Sequence, residues 1–580
     1  MISQNRARSI KFFVFFITAG ISLRLVQLQT HSASFYQTRS IKNYLRFEKI
    51  TSLRGEIVDC NGVILATNEP ITSLWWHGSG KNTLSEDQKK VIAYLAEKFH
   101  LEESTLKSIS LCERFEQSII IQKDIILTEI SDIVERFPLC QNIELKTSFK
   151  RCYPYKESAC HLIGYLGSLS AYAPRGVMGL EKACEQNLKG IDGIKQTVMN
   201  SFGKRIHETG MQEALCGESI TTTINFEIQK AVEEAFGPEF VGAAVVMCPK
   251  TGAIRALISR PTFDPHIFLN PLPTELWNEL QEQKPFMNRA LEACIPPGSI
   301  FKLVTASAAL ETKLVSPSNT WHCNGTYMYA GSPYRCNKKE GHGTVDFNMA
   351  LTHSCNIAFF DIGRRIPIDT LANYAHRYGL GEATGIILPE KHGLIPTREW
   401  KMRTFRQPWW PGETLSAAIG QSYVLLTPLQ IARMVGGIIE GYLVKPRILE
   451  RELIVQKEVK VSAETRAFIK RSMRYVVSMG SARSLSYLTS LELYGKTGTS
   501  QVANNTKSDK NSAYEEKEYL QRPHGCFVVY VKNELLPPLV MVVFVEHAGS
   551  SSVATGIAKK IIQEVYIKNP AMLFPKKPIT

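Results

Sequence analysis

Charge and cysteine are both scarce in this 580-residue chain, and each shortage narrows what the protein can be. Charged residues make up only 21% of the sequence and form no dense basic stripe, so the net charge of +14 does not indicate a nucleic-acid partner. A basic surface near anionic lipid explains that excess equally well. Thirteen cysteines are too few for a disulfide scaffold in so long a chain, and an odd number cannot all pair. The composition therefore leaves the redox compartment open.

Long hydrophobic runs are also missing, except for one at the N-terminus. The run from Phe12 to Leu23 carries no charge, and no acidic residue occurs before Glu48. Three basic residues precede the run: Arg6, Arg8 and Lys11. Basic residues on the cytoplasmic side of an apolar segment are typical of a membrane anchor. We therefore expect a cytoplasmic tail over residues 1–11, a single transmembrane anchor over 12–30, and the bulk of the chain outside the cytoplasm at the inner (cell) membrane.

A cleavable signal peptide is the alternative interpretation of the same segment. The small residues Ser32, Ala33 and Ser34 offer a site that a signal peptidase accepts. Polar residues separate that site from the apolar run: Arg24, Gln27, Gln29 and Thr30. This separation favours an anchor that is not cleaved.

Beyond the anchor, the pattern predicts two regions of α+β architecture. Residues 31–240 mix short strand-like segments with amphipathic helical segments such as Glu86 to Phe99, which indicates an irregular domain. From residue 241 an apolar hairpin begins, a long and mostly helical stretch follows, and apolar strands return near the C-terminus. We predict a domain over 241–570, with helices flanking an antiparallel sheet, and a tail over 571–580. The predicted strands of the sheet are Val241 to Cys248, Ala253 to Ser259, Cys526 to Val531 and Leu539 to Glu546, followed by a helix from Val553 to Tyr566.

The first candidate catalytic pair is Ser299 and Lys302, which follow a Pro-Pro-Gly sequence at the start of a helix-forming run. A serine and a lysine three residues apart share one helix face, so the lysine amine can accept the proton of the serine hydroxyl. A helix N-terminus adds positive potential that helps to keep the amine neutral and stabilises a developing oxyanion. The pattern alone is weak evidence, because the chain contains two further copies: Ser104 with Lys107, and Ser201 with Lys204.

Two further motifs follow along the chain. Ser354 and Asn356 offer a hydroxyl and a carboxamide two residues apart, which can project into one cleft from a turn. A second motif places a cation and hydroxyls on a candidate edge strand, with a glycine that allows close backbone approach: Lys496, Thr497, Gly498 and Thr499. The tripeptide at 250–252 matches this motif too, but it precedes the serine and forms the hairpin turn. The joint order of the three motifs is that of active-site-serine enzymes that react with penicillin, and it argues against a chance match.

The sequence therefore resembles the penicillin-binding proteins, specifically the class B transpeptidases, over nearly the whole chain. Further motifs carry the same likeness: Arg54 to Gly62, Arg151 to Pro154, Gly179 to Glu181, Leu188 to Gly190, Arg260 to Pro265 and Asn288 to Ala290. Cys60 stands where the family usually has arginine, Asn225 where it favours aspartate, and Ser422 where it favours glycine. The resemblance implies an elongated pedestal (dimerisation-like) domain over 31–240 and a penicillin-binding transpeptidase domain over 241–570.

The resemblance also implies a reaction, the cross-linking of peptidoglycan by a D,D-transpeptidase that β-lactams inhibit. The substrates are stem peptides that end in D-Ala-D-Ala. Ser299 would attack the penultimate D-Ala carbonyl, and Lys302 would take the proton of its hydroxyl. Ser354 would relay a proton to the leaving D-Ala, and Asn356 would orient the substrate amide. An amine from a neighbouring stem peptide would then resolve the acyl-enzyme.

The motif from Lys496 to Thr499, including Gly498, would bind the substrate. Lys496 and Thr497 would polarise the site, Thr499 would hold the terminal carboxylate, and the backbone N–H groups of Ser299 and Thr499 would form the oxyanion hole. A D,D-carboxypeptidase or a β-lactamase is one alternative, because both share the motifs and use water as the acceptor. A penicillin-sensing or scaffolding protein whose serine is merely acylated is another.

The sequence shares features with two branches of class B. The segments Trp409 to Thr414, Gly341 to Gly343 and Ser354 to Asn356 look more like penicillin-binding protein 2, the elongation enzyme. Asn356 is closer to penicillin-binding protein 3, the division enzyme. We favour elongation and keep division as the alternative. Either role implies a membrane glycosyltransferase of the corresponding machinery as a partner.

A second constellation comprises Cys323, Cys336, His342 and Cys355. Three thiolates and an imidazole are a complete tetrahedral zinc set, although the spacings are wider than in a compact Cys-x-x-Cys site. The alternative is a Cys323–Cys336 disulfide that closes an exposed loop, with the other two residues incidental. The resemblance favours zinc, because members of the penicillin-binding protein 2 branch are understood to hold a metal with ligands at similar positions. We expect no other cofactor.

Overall fold

The computed structural model describes residues 2–31, 33–36, 44–115, 117–138, 140–168, 174–199, 205–269, 272–501 and 521–574. The chain divides into two compact units. The first contains Met1–Gly55, Asn68–Lys150 and Lys189–Glu218; the second contains Glu56–Thr67, Arg151–Leu188 and Ser219–Thr580. The chain thus passes between the units several times, so segments upstream of residue 219 help to build the second unit. The division into consecutive domains at residue 240 stays a prediction.

An N-terminal helix spans Ile2–Thr30. Within the described ranges it contains the single segment long and apolar enough to cross a membrane, Arg8–Thr30. Its apolar side chains are exposed, Phe12 by 67% and Leu23 by 72%. Such a surface is unfavourable in water and suits a bilayer. The expected N-terminal apolar helix is confirmed, whereas its orientation and the alternative of cleavage stay predictions.

The first unit contains small sheets and three amphipathic helices. One antiparallel sheet has the strand order Leu45–Ile50, Gly193–Met199, Arg205–Gln212. The helices are Glu86–Phe99, Glu103–Arg114 and Leu127–Arg136. The first helix begins where we expected because Ser85 and Gln88 form a reciprocal capping box. Its Val91 and Leu95 share a core with Trp76 of the strand Ile64–His77, which pairs with Ser118–Gln122. The strand Ile143–Cys152 also pairs with Ile64–His77.

The second unit is built on a five-stranded antiparallel sheet, called here the central sheet. From edge to edge its strands are Ile254–Arg260, Gly242–Met247, Leu539–Val545, His524–Lys532 and Glu492–Ser500. The predicted hairpin forms the first two strands, since Gly252 adopts the positive φ of +75° that its turn requires. The predicted C-terminal strands pair in its middle. The α+β class and the antiparallel sheet flanked by helices are confirmed.

Alternation along these strands creates two cores, one on each face of the central sheet. Val245 and Val528 belong to the larger core, which also contains the helices Lys302–Glu311 and Pro428–Glu440. The next residue on each strand, Val246 or Val529, belongs to the smaller core. That core is completed by Phe226–Phe236 and Ser551–Ile562. Each such side chain contributes about 1.5–3 kcal/mol on burial.

The helix Lys302–Glu311 lies inside the larger core. Its residues from Lys302 to Ala309 are all buried, as expected for a helix that is apolar or small on every side. Further α-helices of at least six residues in the described part of this unit are Thr274–Gln283, Phe347–Thr352, Asn356–Arg365, Ile368–Arg377, Arg398–Phe405, Pro411–Ala418 and Ala463–Ser478. Small strand pairs are Thr320–Cys323 with Gly343–Asp346, Thr326–Tyr329 with Ser332–Arg335, Tyr442–Val444 with Gln456–Glu458, and Leu166–Ser168 with Pro174–Gly176.

Candidate active site

Ser299 is half-buried in a single 3₁₀ turn, Gly298–Ile300, immediately before the helix Lys302–Glu311. Gly298 adopts φ +53°, and a Cβ at this position would lie 2.5 Å from the carbonyl oxygen of Thr499. The Gly298 N–H donates to the carbonyl of Gly420 at 2.9 Å. The turn is therefore held between two other backbone segments, and a glycine is required to let them approach.

Lys302 is the first residue of the following helix, and its side chain is fully buried. Its Nζ donates to the backbone carbonyl of Ser354 at 2.7 Å, to Oγ of Ser354 at 3.2 Å and to Oδ1 of Asn356 at 2.6 Å. Burial lowers the pKa of this amine to about 7, because the ammonium loses its hydration, although the thiols of Cys355 and Cys336 oppose the shift. The structure thus brings together the first two predicted motifs.

Ser354 lies in the connection between the helices Phe347–Thr352 and Asn356–Arg365. It is buried and adopts the left-handed φ of +57°, which costs about 1 kcal/mol or more for a residue with a side chain. This conformation allows its hydroxyl to meet two lysines. Strain of this kind is tolerated where the surrounding structure fixes the residue, and it is common at functional sites.

Lys496 reaches the same hydroxyl from the central sheet. Its strand, Glu492–Ser500, is an edge strand and pairs with His524–Lys532. The Lys496 Nζ lies 3.0 Å from Oγ of Ser354. Burial, together with the charge of Lys302, lowers the pKa of Lys496 well below its usual range. The lysines of the first and third motifs, Lys302 and Lys496, therefore both contact Ser354 of the second.

Gly498 and Thr499 bring this edge strand against the Ser299 turn. A Cβ at Gly498 would lie 2.6 Å from the carbonyl oxygen of Pro297, so a side chain there would separate the two segments. Thr499 is exposed, whereas Thr497 is buried. The close approach explains why a glycine occupies the third position of the motif.

Sequence reasoning missed Ser481, whose hydroxyl lies 2.6 Å from Oγ1 of Thr497. It follows the helix Ala463–Ser478 and belongs to no motif. Sequence reasoning also missed Lys401, which is buried, forms an ion pair with Glu413, and lies over the rings of Trp409 and Tyr423. The tertiary fold alone brings these two residues to their partners, so no local sequence pattern indicates the contacts.

The two further Ser-x-x-Lys copies differ from the first. Ser104 and Lys107 lie on the helix Glu103–Arg114, where the hydroxyl donates to Glu102 at 3.2 Å and the lysine pairs with Glu103 at 2.8 Å. These groups are exposed and make no contact with each other that would activate the serine. Ser201 and Lys204 fall outside the described residues.

The four predicted metal ligands also lie together. The ligand atoms of Cys323, Cys336, His342 and Cys355 are all within 4.8 Å of one another, and the cysteines are buried. Nδ1 of His342 lies 3.5 Å from the sulfurs of both Cys323 and Cys336. Ligands of a tetrahedral zinc lie about 3.5–4 Å apart, so the donor set fits that metal. None of the four residues is joined in a disulfide.

The thiols of this cluster differ in their acidity. A hydrogen bond from Cys355, with backbone N–H groups and His342, lowers the pKa of Cys336 to about 4. The same bond and burial raise the pKa of Cys355. The cluster adjoins the catalytic candidates directly, because the Asn356 N–H donates to the sulfur of Cys336 at 3.3 Å and the Asn356 amide donates to the carbonyl of Arg335 at 3.0 Å.

Comparison with known proteins agrees with this architecture. The penicillin-binding protein transpeptidase domain matches residues 242–563, and the penicillin-binding protein dimerisation domain matches 49–222. The chain is 29% identical to the peptidoglycan D,D-transpeptidase MrdA of Haemophilus influenzae, over 95% of this chain and 89% of that protein.

Solved structures give the same result for the fold. The penicillin-binding protein PBP2 of Helicobacter pylori, solved in complex with MreC, superposes with a TM-score of 0.78 at 24% identity, covering 91% of this chain and 99% of that one. A chain from a second structure, which describes the structural coordination of polymerization and crosslinking by a peptidoglycan synthase complex, superposes with a TM-score of 0.72 at 28% identity. The superposition covers 96% of this chain and 98% of that one.

These matches identify a two-domain protein with a transpeptidase domain and a dimerisation domain. The chain belongs to the penicillin-binding protein transpeptidase family, as a class B member, and the resemblance noted in the sequence is confirmed.

Proposed function

We propose that this protein is a peptidoglycan D,D-transpeptidase that joins stem peptides through an acyl-enzyme at Ser299. The observation that best supports this is the contact of two buried lysine amines, Lys302 and Lys496, with the hydroxyl of Ser354. The strand that carries Lys496 also packs against the Ser299 turn. The relatives named MrdA carry the same activity in their names. A buried amine with a pKa of about 7 is suited to take a proton from a serine at neutral pH.

In the acylation step, Oγ of Ser299 attacks the carbonyl carbon of the penultimate D-Ala, and Nζ of Lys302 takes the proton. The negative charge develops on the carbonyl oxygen, where the N–H groups of Ser299 and Thr499 stabilise it by ~2.7 to 4 kcal/mol per donor. Their segments are already close, since only a glycine fits at residue 298. The tetrahedral intermediate then expels the terminal D-Ala, whose amine receives a proton through Ser354.

The remaining groups bind and orient the donor peptide. Asn356 is held by Lys302 and by the carbonyl of Arg335, so its amide is fixed for contact with the peptide. Thr499 is exposed at the end of the edge strand and receives the terminal carboxylate, with Thr497 and Lys496 behind it. Holding the reacting groups in one geometry supplies much of the rate acceleration.

The acceptor decides between cross-linking and hydrolysis. An amine of a neighbouring stem peptide attacks the acyl-enzyme, and exclusion of water from the site favours this outcome. A D,D-carboxypeptidase or a β-lactamase would use water instead, and a penicillin sensor would stop at the acyl-enzyme. The MrdA relatives favour the amine.

Intact-mass measurement after penicillin treatment tests the nucleophile. We expect one adduct that is lost in Ser299→Ala and retained in Ser104→Ala, a serine in the same sequence pattern on an exposed helix. An adduct that survives Ser299→Ala would refute the assignment. Turnover of a D-Ala-D-Ala donor with and without an amine acceptor then separates transpeptidation from hydrolysis.

The N-terminal helix supports a proposal for the location of the protein. We infer that Arg6, Arg8 and Lys11 lie in the cytoplasm, that the segment 12–30 crosses the inner membrane, and that the catalytic unit lies outside the cytoplasm. The PBP2 of Helicobacter pylori was solved with MreC and another relative within a peptidoglycan synthase complex, which supports a membrane glycosyltransferase partner and the elongation role. The division role is the alternative.

We also propose a structural zinc at Cys323, Cys336, His342 and Cys355. The fit of the four ligand atoms supports it, and the direction in which its hydrogen bonds shift the pKa of Cys336, downward, favours a thiolate ligand. The metal would supply local folding energy to the loop and to the connection that carries Ser354 and Asn356. Cys355 belongs to the cluster, a feature that a Cys323–Cys336 disulfide leaves unexplained.

A further inference from the structure

A cavity of about 630 Å³ adjoins the helix Asn356–Arg365 in the second unit. One wall is formed by Ile357, Asp361 and Arg365, which share one face of that helix because they are four residues apart. The opposite wall comes from the small strands Thr320–Cys323 and Thr326–Tyr329. The volume falls in the range of about 300–1,000 Å³ that is typical of sites for small ligands.

The charges in this cavity already satisfy one another. Oδ2 of Asp361 accepts hydrogen bonds from Nε1 of Trp321 at 3.0 Å and from Arg365 at 2.8 Å. Its other oxygen accepts from Arg364 at 3.3 Å. Among the lining residues the carboxylate of Asp361 and the guanidinium of Arg365 therefore balance each other's charge, which does not favour a metal ion.

The remaining polar groups are exposed and are mostly neutral amides and hydroxyls. They include Asn319, Thr320, His322, Asn324 and Thr326. Two half-buried aromatic rings, those of Trp321 and Tyr327, lie among them. Such a site favours a neutral ligand that offers many hydrogen-bonding groups and also an apolar face that can lie against a ring. A pyranose ring that carries hydroxyl and acetamido groups has both properties.

We propose that this cavity binds an N-acetylated amino sugar of a glycan strand. The proposal rests on the proposed function, because the substrate of a peptidoglycan transpeptidase is a glycan that bears peptides. Asn356, whose Oδ1 accepts from Lys302 at 2.6 Å, begins the same helix that supplies Ile357, Asp361 and Arg365 to the cavity. The sugar is thus held on one rigid helix with the catalytic amide, and the cavity keeps the strand near the cleft that its peptide enters.

Calorimetric titration of the full-length protein with tri-N-acetylchitotriose tests the proposal. Thr326→Trp places a large side chain at an exposed lining position of the strand Thr326–Tyr329 and should weaken binding at least about tenfold. Ser332→Trp is the matched control, because it places the same side chain at an exposed position of the partner strand outside the cavity. It should leave the affinity unchanged. His322→Ala, which removes an exposed lining group, should weaken binding without filling the cavity.

Three results would overturn the proposal: no binding up to about 10 mM sugar, equal binding by the wild type and Thr326→Trp, or loss of binding once penicillin has acylated Ser299. The last result would locate the sugar in the catalytic cleft. Acylation of every variant by fluorescent penicillin serves as the check on folding. If the wild type itself is not acylated, the proposed function fails, whatever the sugar titration gives.

Discussion

Lys302 and Lys496 direct their amines at a single oxygen, Oγ of Ser354, from 3.2 and 3.0 Å. Both side chains are fully buried, and the charge of Lys302 opposes a charge on Lys496. Two ammonium groups sharing one neutral hydroxyl in a dry site repel each other, and neither retains its hydration. We conclude that the two titrations are linked, because a charge on Lys302 disfavours a charge on Lys496.

Acylation of Ser299 should therefore depend on pH in one direction. Only the neutral amine of Lys302 can accept the serine proton, and its pKa is lowered to about 7. The rate should rise about tenfold per pH unit well below that value and level off above it. Rates of reaction with a fluorescent penicillin between about pH 5.5 and 8.5 measure this, corrected for hydrolysis of the drug alone. A rate that is flat or falls with pH would contradict the role of Lys302.

Ser422→Gly should stabilise the protein. Ser422 adopts φ +63°, a conformation that costs a residue with a side chain about 1–2 kcal/mol and a glycine almost nothing. The greater freedom of glycine in the unfolded chain offsets part of this, so we expect a net gain of about 0.5–1 kcal/mol. Thermal unfolding is the measurement. Ser486→Gly, at φ −63°, is the control and should destabilise; equal effects of the two substitutions would disprove the explanation.

Gly298→Ala should abolish most acylation without unfolding the protein. The new Cβ would lie 2.5 Å from the backbone carbonyl oxygen of Thr499, so the Ser299 turn and the edge strand must separate. A displacement near 1 Å costs about 100-fold in rate at a catalytic site. Gly556→Ala, with no atom within 4 Å of the new Cβ, should leave the rate unchanged. A near-normal rate for Gly298→Ala would show that this approach is not needed for catalysis.

Ser481→Ala should weaken the productive binding of donors that carry a free carboxylate. Its hydroxyl lies 2.6 Å from Oγ1 of Thr497, so Ser481 is a positioning residue for that side chain. Loss of one such hydrogen bond costs about 0.5–1.5 kcal/mol, a two- to tenfold loss of kcat/KM. We expect the loss to appear mainly in KM. Ser486→Ala, an exposed serine after the same helix, is the control, and a loss confined to kcat would argue against positioning.

Removal of zinc by a chelator should slow acylation while leaving the first unit folded. The cluster includes Cys355, which lies between Ser354 and Asn356, so loss of the proposed zinc would release the side chains of these two candidate residues. Cys355→Ser should have the same effect, whereas Cys216→Ser, at an exposed cysteine, should have none. Elemental analysis of the purified protein gives the zinc content. A metal-free protein with Cys323 and Cys336 oxidised together would establish the disulfide instead.

The strands of the central sheet could be predicted because each is an apolar run bounded by turn residues. The strand predicted over Val241 to Cys248 is observed as Gly242–Met247, and the helix Glu86–Phe99 has the predicted bounds. The order of the strands could not be predicted, because Leu539–Val545 pairs with Gly242–Met247 from the other end of the chain. The hydrophobic pattern of a segment predicts a strand but does not show which distant strand it pairs with.

Part of the candidate site could likewise be predicted from the sequence, and part of it could not. Ser299 and Lys302 could be proposed from the joint order of the three motifs, because their spacing alone occurs twice more in the chain. The contact of Ser481 with Thr497 depends on the path between a helix and a strand, which no local rule specifies. The buried position of Lys401 could not be predicted either, because its helix, Arg398–Phe405, is otherwise polar.

The pairing of Gly242–Met247 with Leu539–Val545 also has a consequence for biogenesis. The middle strand of the central sheet, Leu539–Val545, is synthesised long after its neighbour Gly242–Met247, so the sheet cannot close until residue 545 has emerged. Until then Val245, Val246 and their neighbours form an exposed apolar edge that can pair with other chains. Folding dominated by such long-range pairing is slow. Chains that stop before residue 539 should therefore aggregate or be degraded, because the central sheet lacks its middle strand.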